Sequence, residues 1–277
     1  MERTLFVTDL DGTLLNNNSK LSKFTIDTIN DLILKGMNLT YATASAFARS
    51  SLKATGINWH LPIITFNGAI VIDPNSGDVL KSFSMSRDKI KNVIEVMRKL
   101  LIYPLVYTVD NNKEVVRWIK GKENEQMLLY IKSIENSNKI VLKPVSNYEE
   151  LFSENLFYIT YMCDEQEMDG IKDYFESNKN YNVTKVQDSA DKKLFWLEIF
   201  DTNARKDLAI LDLKKMLNFD KVISFGDNLN DIPMFEVSDE CYSVLNGTEE
   251  LKRISTGIID SNKNNGVAKW LLDYYKK

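Results

Sequence analysis

Histidine is nearly absent from this chain: among 277 residues only His60 is one. That excludes most zinc sites and any histidine-based triad that does not use His60 itself. Its setting, Asn58-Trp59-His60-Leu61-Pro62, reads as a surface loop. Cysteine is almost as scarce, and Cys163 and Cys241 are too few for a framework of disulfides. No apolar run approaches the roughly 18 residues that span a bilayer. A basic-then-apolar start with a small-residue cleavage site is also missing, so no secretory signal is expected. The formal net charge is −4, with no long run of one sign, which argues against a nucleic-acid partner, since that needs a basic face. There is no internal repeat and no low-complexity segment beyond Asn-rich turns. These absences leave a cytoplasmic protein, bound to neither membrane nor nucleic acid, whose polar chemistry rests on Asp, Lys, Thr and Asn. The length suits one large domain or two modest ones.

What is present is concentrated first in Thr4 to Leu14, TLFVTDLDGTL. Leu5-Phe6-Val7 is a run of strand formers, and Asp9 and Asp11 follow two residues apart. Residues two apart on an extended strand point to one side. Two like charges that close are unfavourable unless a cation or a proton separates them. Downstream, Ile26, Ile29, Leu32 and Ile33 repeat at the helical period between a Ser22 cap and Gly36. A strand over Asn38 to Thr43, a helix from Phe47 to Thr55 and a strand over Pro62 to Phe66 follow. Strand and helix in alternation predict a parallel sheet with crossovers.

From Ser86 the rhythm changes to helix, two strands, helix, strand, helix, strand, helix, two strands, ending near Ile199. This predicts an inserted α+β layer with helices on one face. Its aromatics, such as Tyr107, Trp118, Tyr158 and Trp196, read as core, with Trp118 and Trp196 as candidate leaving-group contacts. The crossover pattern returns from Arg205. The expected fold is therefore α/β, a doubly wound, Rossmann-like parallel-sheet core with an inserted α+β cap: residues 1–84 and 201–277 for the core and 85–200 for the cap.

Asp9 and Asp11 end the first strand, Thr43 ends the second, Lys206 opens a helix, and Asp227 and Asp231 follow the strand Val222 to Phe225. Ligands of open parallel sheets bind beyond the carboxyl ends of the strands, so one site assembled from distant sequence is expected. Four carboxylates call for a hard cation, and oxygen ligands favour Mg2+ over Zn2+. A cation, a lysine and a threonine hydroxyl together neutralise a phosphoryl group. One carboxylate can attack phosphorus to form an aspartyl phosphate while a second, two residues on, protonates the leaving oxygen and then deprotonates water.

Asp9-Leu10-Asp11-Gly12-Thr13, Thr43, Lys206 and Gly226-Asp227-Asn228-Leu229-Asn230-Asp231 resemble the four motifs of the haloacid dehalogenase superfamily of phosphohydrolases. Ile63 through Ala69, Gly226 through Met234 and Asn265 through Ala268 resemble its Cof-like branch, which carries a large type IIB α/β cap between motifs two and three. The resemblance covers nearly all of the core, and the cap by its order of elements. It implies Asp9 as nucleophile and Mg2+ ligand, and Asp11 as acid/base giving a backbone carbonyl to the metal. Thr43 and Lys206 would hold the phosphoryl oxygens, with Asn230 and Asn67 further phosphate-side residues. Asp227 would bind Mg2+, and Asp231 would ligate it through water or orient Lys206. The implied partner is a small phosphorylated metabolite such as a sugar phosphate; oligomeric state is not readable.

One departure stands out. Many relatives read Thr-Gly-Arg at motif two, where this chain has Thr43-Ala44-Ser45, and Arg49 or Arg205 is the candidate replacement for the missing arginine. Read alone, Asp231 also fits a helix N-cap ahead of Pro233, and Asn67-Gly68 an ordinary turn. Two other functions fit the same residues: a phosphomutase, and a non-catalytic metabolite-binding or regulatory protein.

Overall fold

A computed structural model describes residues 3–137, 139–152, 154–176, 181–188 and 193–276. The chain divides into two compact units, Met1–Ser76 with Arg205–Lys277 and Gly77–Ala204.

The first unit begins with β1 (Thr4–Thr8), α1 (Lys23–Leu34), β2 (Asn38–Tyr41), α2 (Phe47–Lys53), β3 (Ile63–Thr65) and β4 (Ile70–Ile72). In β1, Leu5, Phe6 and Val7 are all buried, as a strand covered on both faces requires. The Ser22 cap forms as expected, with Oγ accepting from Thr25 N at 3.0 Å. Between β1 and α1 the backbone makes a wide turn, Leu10–Leu14. The Asn-rich stretch after it closes through Asn16 N to Lys20 O at 3.0 Å without forming a hairpin ladder.

The second unit runs through β5 (Val79–Ser82), α3 (Arg87–Lys99), β6 (Leu105–Asp110), β7 (Lys113–Ile119), α4 (Glu125–Ile134), β8 (Ile140–Val145), α5 (Tyr148–Leu151), β9 (Leu156–Asp164), α6 (Glu165–Glu176), β10 (Tyr181–Gln187) and β11 (Leu194–Asp201). Six of its strands form a sheet in the order β10-β11-β9-β6-β7-β8. The pairs are antiparallel except β7 with β8. One face buries Val106, Ile159, Leu197 and Ile199 against α3 and α6. The alternate residues face the other way, where Tyr107 Oη donates to Tyr130 Oη of α4 at 3.0 Å and Trp196 meets the Tyr130 ring edge-on at 5.1 Å. The expectation of helices on one face therefore fails for α4. Met127, Tyr130, Ile131 and Ile134 give it its own apolar stripe, and it covers the second face.

The chain re-enters the first unit with α7 (Lys206–Met216), β12 (Lys221–Gly226), α8 (Ile232–Glu236), β13 (Glu240–Val244), α9 (Glu249–Ile254), β14 (Gly257–Ile259) and α10 (Gly266–Tyr274). The five-stranded sheet runs β14-β13-β12-β1-β2, all parallel. A parallel bridge between Ala42 and Ile64 sets β3 beside β2. The strand order reverses at β1, so the carboxyl ends of β12, β1 and β2 lie side by side at the switch point of a doubly wound sheet. Among the described residues no helix is long and apolar enough to cross a membrane.

Candidate active site

Asp9 is the first residue beyond β1, and its N–H donates to Phe225 O of β12 at 2.9 Å, which ties the two strand ends together. Lys206, at the start of α7, reaches Asp9 Oδ1 and Asp231 Oδ1, each at 2.7 Å. All three are buried, Asp231 completely. The second oxygen of Asp231 accepts from the N–H groups of Asp227 at 3.0 Å and Asn228 at 3.2 Å. Asp231 thus turns back to bind the loop ahead of it instead of capping α8, where it makes no side-chain cap bond. Asp227 Oδ1 accepts from Thr13 Oγ1 at 3.0 Å.

Two glycines let these groups approach. Gly12 has φ +88°, and a Cβ there would lie 2.2 Å from Asp227 Oδ2. A Cβ on Gly226 would lie 2.7 Å from Asp231 Oδ2. Lys206 is placed by a similar contact, since a Cβ on Gly68 would lie 2.2 Å from Arg205 O. Asn246 Nδ2 donates to Gly12 O at 2.8 Å and steadies the turn.

One ligand oxygen from each of Asp9, Asp227 and Asp231 lies within 4.8 Å of the others. Burial pushes the Asp9 carboxyl well above its usual range; Lys206 opposes this, and the charges of Asp231 and Asp227 add to it. Asp227 is pushed up to about 6, by burial first and then by Asp231. Burial alone would lower the Lys206 ammonium, but Asp231 and Asp9 more than offset it, and its net direction is up. Three carboxylates thus face one ammonium. Ionising all three leaves an excess of two negative charges in a buried space, the deficit that one divalent cation removes. The all-oxygen donor set fits a hard cation of the Mg2+ kind.

Asp11 stands apart from this group. Lys53 Nζ reaches its Oδ1 at 2.7 Å, and Ser45 Oγ its Oδ2 at 3.4 Å. Thr43 is buried beyond β2, its N–H donating to Ile64 O and its Oγ1 accepting from Ser45 N at 3.1 Å. Asn67 N donates to Thr43 O at 3.0 Å, and Asn67 takes φ +54°. Its Oδ1 is buried with no hydrogen-bond partner among the described residues. Asn230 is exposed in the short turn Leu229–Asp231. The structure therefore gathers Asp9, Lys206, Asp227 and Asp231, places Asn67 beside Thr43, and leaves Asn230 at the solvent. Arg205 is engaged by Asp207 through Nε at 2.9 Å and Nη2 at 2.7 Å. The contacts of Thr13, Ser45, Lys53 and Asn246 escape a reading of the sequence. Thr13 carries a signal, since it sits in the D-x-D-G-T string, but Lys53 looks like any solvated lysine of a short helix.

The family model of haloacid dehalogenase-like hydrolases matches residues 6–271. The chain belongs to this family. Among curated relatives, this hydrolase is 28% identical over 276 residues to the 5-amino-6-(5-phospho-D-ribitylamino)uracil phosphatase YwtE of Bacillus subtilis, covering 94% of each chain. A second phosphatase of that name from the same organism, YitU, is 24% identical, with 98% and 97% covered. Among solved structures, the hydrolase matches a Thermotoga maritima protein with a TM-score of 0.78 and 25% identity, over 98% of this chain and 97% of the other. A subclass IIB sugar phosphatase shares the fold, with a TM-score of 0.69 at 18% identity over 99% of each chain.

Proposed function

We propose that this hydrolase is a Mg2+-dependent phosphatase that cleaves small phosphorylated metabolites through an aspartyl phosphate. The observation that carries the reading is the buried bridge from Asp9 through Lys206 to Asp231, with Asp227 alongside, at the sheet's switch point. In this reading an Asp9 oxygen forms a bond to phosphorus as the bond to the leaving oxygen breaks, and Asp11 gives that oxygen its proton. Water then attacks the same phosphorus, Asp11 takes the water's proton, and the bond to Asp9 breaks to release inorganic phosphate.

Lys206 fixes the nucleophile's orientation and offsets the charge that gathers on the phosphoryl oxygens. Thr43, with Asn67 beside it, is assigned the phosphoryl side. Asn230 is assigned there as well. Of the two roles open to Asp231, its hydrogen bonds favour orienting Lys206 and holding the loop. Mg2+, held by Asp9, Asp227, the Asp11 carbonyl and, directly or through water, Asp231, would supply charge neutralisation between nucleophile and phosphoryl group.

Residues 85–200, within the second unit, are assigned the choice of substrate. Relatives named for a phosphorylated ribityl compound and for sugar phosphates support a phosphorylated polyol or sugar. The test is phosphate release from a panel of phosphorylated sugars and polyols with Mg2+, alongside Asp9→Asn. Hydrolysis of at least one ester and its loss in the variant are expected. No turnover of any phosphomonoester, or an unchanged rate in Asp9→Asn, overturns the reading.

A further inference from the structure

The acid/base carboxylate of the proposed mechanism has no partner within the buried cluster. Lys206 cannot serve it, since its ammonium is committed to Asp9 and Asp231. Asp11 follows Asp9 by two residues, in the turn Leu10–Leu14 just ahead of Gly12, and 42% of its side chain is exposed. An unrestrained carboxylate in that position samples several rotamers. General acid catalysis needs the carboxyl within hydrogen-bond reach of the leaving oxygen, and a misplacement of about 1 Å costs on the order of a hundredfold.

We propose that Lys53 is the positioning residue for Asp11: from the end of α2 it clamps Oδ1 and leaves Oδ2, met by Ser45 at the longer distance of 3.4 Å, to exchange the proton. The proposal rests on the phosphohydrolase reading of the site. The clamp is stiff at its base. Phe47 and Ala48 bury the start of α2, and Ser50 N donates to Ala46 O at 2.9 Å. A lysine in the last turn is also favoured by the helix dipole. Because the Asp11 side chain is well exposed to solvent, the contact as a structural ion pair would contribute little stability. Its effect falls on the direction of one carboxylate, and the 2.7 Å contact at Oδ1 against 3.4 Å at Oδ2 assigns the two oxygens different work.

The test compares two esters on one enzyme. p-Nitrophenyl phosphate has a leaving group that departs without a proton, whereas an alkyl phosphomonoester needs one. Lys53→Met is expected to lower kcat/KM for the alkyl ester by about 10- to 100-fold and for the nitrophenyl ester by less than about threefold. Lys53→Arg should restore most of the loss, and Lys53→Met added to Asp11→Asn should change nothing further. The ratio between esters does not depend on how much enzyme is folded. Equal losses on both esters, expressed in KM, would make Lys53 a substrate-binding cation and overturn the positioning role. No loss on either would reduce the contact to a surface ion pair. The alkyl ester is one that the wild-type enzyme hydrolyses in the panel above; wild-type enzyme that hydrolyses no phosphomonoester sinks the phosphohydrolase reading itself, whereas active wild-type enzyme with an indifferent Lys53→Met sinks only this proposal.

Discussion

Replacing Glu114 by glutamine will stabilise the second unit by an amount that grows with pH. Glu114 lies on β7, on the sheet face that carries Tyr107, and it is fully buried. Neither carboxyl oxygen has a hydrogen-bond partner among the described residues. Burial alone pushes its pKa from 4.5 up to about 8. The fold therefore binds this proton more tightly than the unfolded chain does. Stability is complete below pH 4.5, falls as pH rises and the unfolded chain releases its proton, and levels off above about pH 8. At about 1.4 kcal/mol per pH unit, wild-type protein loses roughly 3 kcal/mol between pH 5 and pH 8 on this account. Glutamine keeps the shape and has no proton to lose. Urea unfolding across that range, followed by the fluorescence of Trp118 and Trp196 in this unit, measures the effect. The wild-type curve should fall away from that of Glu114→Gln as pH rises. Parallel curves would refute the reasoning, because they would mean that the carboxyl finds a donor or water that offsets its burial.

The first unit yields further expectations. Asp9→Asn should abolish turnover while leaving the metal-free melting temperature unchanged or raised, since it removes one of three carboxylates that share one ammonium; calorimetry beside an activity assay checks both. Lys206→Met leaves Asp9 and Asp231 buried without their cation, so a stability loss of about 3–5 kcal/mol is expected by denaturant titration, with recovery at low pH. Gly12→Ala sets a methyl group 2.2 Å from Asp227 Oδ2 at a positive φ, so metal affinity should fall at least about tenfold by calorimetric titration. Adding Mg2+ to chelator-treated protein should raise its melting temperature in proportion to the logarithm of concentration, and Asp227→Asn should flatten that rise.

Much of the architecture was legible because its signals are local. The apolar run Leu5-Phe6-Val7, the cap at Ser22 and the change of rhythm near Ser86 each lie within a few residues of sequence. The order of elements in the second unit came through for the same reason, whereas the side on which α4 packs did not. An amphipathic helix declares that it has an apolar face without saying which face of a two-sided sheet will receive it. The gathering of Asp9, Lys206, Asp227 and Asp231 was anticipated from strand ends and one helix start, since parallel topology fixes where those ends meet. The contacts of Asp11 were not. Which side chain of α2 meets Asp11 turns on how that helix is placed, and Arg205, a candidate for the missing arginine, is engaged by Asp207. Glu114 gave no warning either: in Lys113-Glu114-Val115 it looks like the polar half of a strand alternation.

The contact between Gly68 and the Arg205 carbonyl has a consequence for inheritance. The chain leaves the first unit after Ser76 and returns at Arg205, one residue before the lysine that bridges Asp9 and Asp231. Because Gly68 fixes that point of return, the ammonium keeps its address whatever polypeptide is spliced in between. Asp9, Asp11, Thr43, Lys53, Lys206, Asp227 and Asp231 all belong to the first unit. Residues 77–204 can therefore be exchanged without moving these side chains, and on the proposed reading that is a route by which new substrates are acquired.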